Sequence, residues 1–208
     1  MKKGAIQPGV WPVDTLILCC RDFEQVVRGR ARRRAFDVPG EVDAYFAPGR
    51  VAYRAPGAWA PVALMMAALF GCMGVSLPVM SWTLHADTSA WLSALMWFGA
   101  GALQLFYLCC AMFLLARVRS QGLRLFKVLA GFHLAWGVAG SAAALGGSAG
   151  AAAASCALLS GALIWLLLNS AAFFSWVNFH LTARKVMHNR LQQRMARRQQ
   201  PARRGGQA

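Results

Sequence analysis

Negative charge is scarce in this sequence. Asp and Glu number 7 among 208 residues, against 22 Lys and Arg, which gives a formal net charge of +15. Six of the acids precede residue 58 and the seventh is Asp87, so no carboxylate falls inside the long apolar runs of the chain. Ion-coupled transporters and proton pumps commonly place acids at membrane depth. Their absence here disfavours proton- or sodium-coupled transport.

Cysteine is also too sparse, and too scattered, for a disulfide-dense secreted fold. The six Cys contain no C-x-x-C pair, and four of them fall within long apolar runs. We therefore expect no structural disulfide. A membrane thiol oxidoreductase, which would need a Cys pair near the outer surface, is excluded as a class.

Long apolar runs are what the chain does contain. Charged residues vanish over 59–84, 91–116 and 128–182, and a helix that crosses a bilayer needs about 20 mostly apolar residues. The glycine-rich stretch 146–150 divides the third run as a hairpin turn. The pattern predicts an all-α integral membrane protein, an antiparallel four-helix bundle with helices over 60–84, 91–116, 126–145 and 152–179.

The basic residues predict the orientation of these helices. Ten Lys and Arg lie in 1–57, four in 117–127 and eight in the tail, whereas the connections 85–90 and 146–151 have none. The positive-inside rule then places both termini and the middle loop in the cytoplasm. The prediction is a multi-pass inner-membrane protein. Its Arg- and Ala-rich composition favours a bacterial origin.

Three polar residues inside the predicted spans are candidate site residues. Gln104 lies twelve residues before Ala116, and Asn169 lies eleven before His180, so both fall near the bilayer centre. We expect them to hydrogen-bond between the second and fourth spans, or to line a shared polar cavity, with structural cohesion favoured over substrate contact. His133 is the third candidate, two turns inside the third span.

A cofactor or catalytic site has little support in the sequence. His133 and His180 fall at the same side of the membrane, which leaves haem or metal ligation as an alternative, but no cofactor or metal is expected. The G-x-S-x-G match at 146–150 connects two apolar helices, and no acid follows it. It is interpreted as a turn, and no catalytic residue is predicted.

Small residues at four-residue spacing predict close packing of the third and fourth spans. Such faces let membrane helices approach each other closely. A homodimer seam is the alternative interpretation. The predicted packing residues are Gly137, Ser141, Ala153, Ala157 and Gly161.

The segments outside the spans are basic. Residues 1–57 contain an amphipathic helix over about 14–34, followed by a Pro/Gly-rich linker, and residues 183–208 form a basic tail after the membrane segment 58–182. Anionic lipid and protein remain alternative surfaces for the helix. The tail has no aromatic residue to stack on bases, so nucleic-acid binding is disfavoured. The basic patch consists of Arg28, Arg30, Arg32, Arg33 and Arg34.

Three functions from different classes are compatible with these features. The favoured one is a non-enzymatic accessory or scaffold subunit of a larger membrane assembly, of the secretion, conjugation or envelope type. The expected partner is another protein, with a homo-oligomer of the chain as the alternative. A small oligomeric transporter or channel is the alternative. A membrane enzyme or a haem or metal carrier comes third.

Overall fold

The computed structural model describes residues 12–29, 35–46, 55–85, 89–143 and 148–204. These residues contain helices and no strand. The helices are α1 (Pro12–Val27), α2 (Gly40–Tyr45), α3 (Trp59–His85), α4 (Ala90–Ala116), α5 (Ser120–Ala143), α6 (Ser148–Leu168) and α7 (Ala171–Arg204).

Four of these helices are long and apolar enough to cross a membrane. Their apolar stretches have mean hydropathies between 1.3 and 2.1. The prediction of an all-helical chain with four long apolar helices is therefore confirmed, and the chain has the character of a multi-pass membrane protein. The stretches are Trp59–Pro78, Ala90–Ala116, Ser120–Ala142 and Ala151–Leu168.

The α5 helix begins six residues before its predicted start at 126. The carboxylate of Glu24, on α1, accepts hydrogen bonds from the Ser120 backbone N–H at 2.8 Å and from the Ser120 hydroxyl at 3.1 Å. A carboxylate at a helix N-terminus satisfies a free N–H and favours the helix dipole. Because this cap comes from a distant part of the chain, the local sequence could not reveal it.

The connection from α4 to α5 is a tight corner. Val118 adopts φ 48°, a region that β-branched residues seldom occupy, and its side chain is buried in the core. Gly122 passes so close to α4 that a Cβ atom there would lie 2.5 Å from the backbone nitrogen of Leu115. Glycine is therefore required at this crossing.

The predicted C-terminal end of the fourth span, 152–179, is wrong. The α6 helix stops at Leu168, and α7 begins at Ala171. The Ser170 hydroxyl donates to the Leu167 carbonyl at 2.8 Å and accepts from the Phe173 N–H at 3.2 Å, so it terminates one helix and caps the next. Hydropathy alone does not detect this break, because apolar residues continue on both sides of it.

Close helix packing centres on α6, which lies against both α3 and α5. Gly137 and Gly161 are at the α5–α6 interface, where a Cβ on either would come within 3.0 Å of the other helix. Ala153 and Ala157, predicted to face the third span, instead lie against Gly74 of α3, the first span. Ser141, the remaining predicted packing residue, is exposed, and its hydroxyl donates to the Gly137 carbonyl of its own helix. The expectation that it packs against the fourth span is corrected accordingly.

The remaining helices pack on one side of the four long ones. The α1 helix buries Val13, Leu16, Ile17 and Cys20 in a core that it shares with α5 and α7. Anionic lipid and protein are the two alternative surfaces for this helix. Its apolar face packs on protein. We call α1, residues 35–46 and α7 the platform.

Candidate functional site

A buried polar cluster joins three of the long helices. The His133 imidazole of α5 and the Ser160 hydroxyl of α6 are 2.9 Å apart, and Ser160 donates to the Ala67 carbonyl of α3 at 2.7 Å. The His133 and Ser160 side chains are 1% and 0% exposed. We call these groups the histidine node. Interhelical hydrogen bonds of this kind contribute about 0.6–2 kcal/mol each in a membrane.

Glycine makes this approach possible. A Cβ atom on Gly71 of α3 would lie 2.2 Å from two ring atoms of His133 and 2.2 Å from the Ser160 oxygen. Any side chain at this position would displace the imidazole or the hydroxyl. The node therefore depends on Gly71 as much as on its two polar members.

The hydrogen bonds assign the tautomer of His133. Ser160 has one hydroxyl proton, and the Ala67 carbonyl, which can only accept, takes it. The contact between Ser160 and His133 is then favourable only if the Nδ1 atom of His133 is protonated and donates. In the neutral ring the Nε2 atom consequently has a free lone pair, and among the described residues it has no hydrogen-bond partner.

A cavity of about 360 Å³ borders the histidine node. It lies between α4 and α5, with Cys72 of α3 among its lining residues. The Tyr107 hydroxyl donates to the Leu125 carbonyl at 2.8 Å and so ties the walls together. The lining residues are Cys72, Ala100, Leu103, Gln104, Tyr107, Leu108, Val128, Leu129, Phe132 and His133.

The two amides predicted to hydrogen-bond between the second and fourth spans, or to line a shared polar cavity, have different partners and lie in different places. Gln104 accepts from the Ser76 hydroxyl of α3 at 3.3 Å. Asn169 lies at the α6–α7 break, where it accepts from the Val13 N–H at 3.4 Å and donates to the Trp165 carbonyl at 2.9 Å. The reason is the end of α6 at Leu168, which places Asn169 at a helix terminus. Gln104 and His133, by contrast, line one cavity.

His133 and His180 are not brought together. His180 lies on α7 between Trp176 and Phe179, with ring centroids 4.7 and 5.5 Å away. Burial, with a smaller contribution from the nearby Arg184 charge, lowers the pKa of His180. Within the described part of the chain, no three His, Cys, Asp or Glu side chains are grouped closely enough to hold a metal ion.

The platform is attached to the long helices by polar contacts as well as by its core. Lys127 pairs with Asp14 at 2.7 Å, and Arg184 donates to the Arg117 carbonyl at the end of α4. Together with the contacts of Glu24 and Asn169, these bonds attach α1 and α7 to the ends of α4, α5 and α6.

The segment before α3 is held on α7 in the same way. Asn189 exchanges two hydrogen bonds with the Phe36 backbone, at 2.9 and 2.8 Å. Arg190 donates to the Asp43 carboxylate at 3.2 Å and to the Phe46 carbonyl at 2.7 Å. Residues predicted as a Pro/Gly-rich linker thus include the short helix α2 and a defined contact with α7.

The predicted basic patch lies mostly outside this description. Arg28 is exposed in the turn after α1. Arg30, Arg32, Arg33 and Arg34 lie outside the described residues. The predicted glycine turn at 146–150 also lies partly outside the described residues. Residues 144–147 are not described, and α6 begins at Ser148.

Sequence reasoning singled out His133 but missed its partners. Ser160 and Gly71 are small residues in apolar runs, where both are common as packing residues. Their role is visible only where α3, α5 and α6 meet, because both residues lie against the His133 imidazole there.

Comparison of the chain with protein-family models, with curated proteins and with solved structures finds no match.

Proposed function

We propose that the chain is an inner-membrane protein with four antiparallel spans and both termini in the cytoplasm. The platform contacts the turn before α3, the end of α4, the start of α5 and the end of α6. The basic segment 117–127 and the basic part of α7 from Arg184 onward lie at this end, whereas the connections 85–90 and 146–151 contain no Lys or Arg. The positive-inside rule supports this orientation.

In this arrangement the protein serves as a non-enzymatic accessory or scaffold subunit of a membrane assembly, of the secretion, conjugation or envelope type. The observation that supports the proposal is the platform itself. Its helices are attached by side chains to the ends of the spans, so that they offer a surface in a fixed position. A basic tail that only retained the spans in the membrane would need no such contacts.

The α7 helix adds a membrane-surface element to the platform. Met187, Leu191 and Met195 are 67%, 55% and 41% exposed and lie four residues apart. We call them the α7 stripe. Leu191 follows the buried Phe173 by 18 residues, about five helical turns, so both side chains point in the same direction.

The α7 stripe therefore lies on the same face of α7 as Phe173, which packs on the long helices. This face continues beyond the part of α7 that contacts them. An apolar stripe among Arg residues, directed toward a bilayer, favours anionic headgroups. We propose anionic lipid as its partner, while the opposite face of the platform stays available to a partner protein.

Site-specific photo-crosslinking in native membranes tests the scaffold proposal. A photoreactive residue replaces Leu18 of α1 or Asn178 of α7, both exposed on the platform, and Phe98, which is 79% exposed on α4, is the control position. We expect one recurrent partner protein at fixed ratio from the platform positions and lipid adducts from Phe98. Adducts with lipid or with a second copy alone, from all three positions, would contradict the scaffold proposal.

A further inference from the structure

The cavity beside the histidine node lies at the apolar outer surface of α4 and α5. Three residues at its wall, Leu103, Val128 and Phe132, are 70%, 62% and 46% exposed on the faces of α4 and α5. His133 lies six residues past Lys127, about 9 Å along the helix, which places it inside the apolar span. A molecule that enters this cavity must come from the hydrocarbon region and must therefore be lipid-soluble.

The opposite walls of the cavity offer complementary hydrogen-bonding groups. The Nε2 atom of His133, on α5, is an acceptor, because Nδ1 donates to Ser160. Gln104, on α4, uses its carbonyl to accept from Ser76, which leaves its NH₂ group as a donor. An acyl chain would fill the space without using either group.

The size of the cavity also limits the occupant. A volume of about 360 Å³ falls at the small end of ligand sites, which usually measure about 300–1,000 Å³. A single substituted ring fits this space. A second cavity of about 220 Å³ lies between α3 and α4 and shares Ala100 with the first; its other lining residues are Met73, Ser76, Leu77, Met80 and Trp97.

We infer that this cavity is a binding site for a membrane-soluble quinol. One ring hydroxyl donates to Nε2 of His133, and the oxygen on the opposite edge of the ring accepts from the Gln104 NH₂ group. The apolar tail continues along the second cavity or into the bilayer. Because His133 offers an acceptor, the reduced quinol binds more tightly than the quinone. This inference does not depend on the scaffold role.

Binding of a decyl-tailed benzoquinol to the detergent-solubilised full chain tests the inference. Native mass spectrometry counts the bound molecules, and thermal unfolding measures the stabilisation that a ligand of the folded state produces. Val128→Trp fills the mouth of the cavity. Val138→Trp is the matched control, since Val138 is on the same helix, is equally exposed at 62% and lies outside the cavity lining.

We expect one saturable quinol in the wild type and in Val138→Trp, and at least about tenfold weaker binding in Val128→Trp. Gln104→Leu should weaken binding about three- to tenfold, the usual effect of one lost hydrogen bond. The inference is overturned if Val128→Trp binds like the wild type, if Gln104→Leu has no effect, or if decanol, which has the tail without the ring, binds as tightly as the quinol.

Discussion

At the scale of single residues, the histidine node is the most specific feature of the membrane part. A polar side chain at membrane depth is costly unless its hydrogen bonds are formed within the protein. Here Ser160 forms both of its bonds, one to His133 and one to the α3 backbone. The node therefore specifies how three helices meet, and it presents one imidazole nitrogen that no described residue pairs.

The first prediction concerns the glycine on which the node depends. Gly71→Ala should lower the free energy of unfolding by about 1–3 kcal/mol, because the new methyl group overpacks a filled interface. Gly131→Ala is the control, since no atom lies within 4 Å of its Cβ position. It should be neutral or stabilise by about 1 kcal/mol, the difference in helix propensity. Steric-trap unfolding in bilayer discs measures both, and equal effects would contradict the geometry of the node.

His133 shows how far single residues can be predicted from the sequence. An ionisable side chain in an apolar run is conspicuous, and the sequence alone therefore indicates His133 as a candidate. Its tautomer and its free nitrogen depend on Ser160 and Gly71, which are 27 and 62 residues away in the chain. Contacts at such separation leave no periodic signal in a single sequence.

At the scale of helices, hydropathy predicts which segments are long and apolar enough to cross a membrane. It does not predict the helix ends that are set by contacts with distant parts of the chain. The α3 and α4 helices match their predicted bounds to within one residue. The α5 start and both ends of α6 do not. Glu24 caps the α5 start, and Ser170 terminates α6. The Asn169–Ser170 pair is a visible polar signal, but the hydropathy pattern includes it in a longer apolar span.

The α1 helix provides the second prediction. Cys19 is exposed and Cys20 is buried, and burial together with the neighbouring groups raises the pKa of Cys20 to about 12. At pH 8 a thiol of ordinary pKa 9.0 is about one-tenth ionised, whereas one of pKa about 12 is ionised to about one part in ten thousand. Since the thiolate is the reactive form, Cys20 should be alkylated about a thousandfold more slowly than an ordinary thiol.

Two single-cysteine chains, one retaining only Cys19 and one only Cys20, measure this with maleimide in membranes at pH 8. Denaturant should make the two thiols react at similar rates, which controls for the local sequence. Comparable rates without denaturant would mean that α1 is not packed on α5 and α7, and the platform would have to be abandoned.

At the scale of the whole molecule, charge and apolar surface are separated along one direction. The described Lys and Arg side chains lie on or near the platform, while the large exposed apolar residues of α4 and α5, such as Phe98 and Val138, lie on the spans. Exposed apolar residues of the platform depart from this separation: Leu18 and Val27 of α1, Tyr45 of α2, and the α7 stripe. The stripe is the largest such group. It combines apolar exposure with a basic helix, beyond the edge of the four long helices.

The third prediction tests where the α7 stripe rests. Spin labels replace Leu191, Met195 and, as the control, Gln193, which is exposed and two residues from each. A two-residue step turns a helix by about 200°, so Gln193 faces away from the stripe. In discs with anionic lipid, the labels at 191 and 195 should be accessible to oxygen, which concentrates in hydrocarbon, and the label at 193 to a water-soluble nickel complex.

Neutral lipid separates the two contributions to this binding. If the Arg residues of α7 supply much of the attraction, neutral discs or high salt should shift the labels at 191 and 195 toward water, because each basic residue near an anionic surface contributes about 1 kcal/mol. Labels that stay in hydrocarbon without anionic lipid would assign the binding to the apolar residues alone. If all three labels are water-accessible in anionic discs, the stripe is free of the membrane, and its exposed apolar surface would then belong to a protein interface.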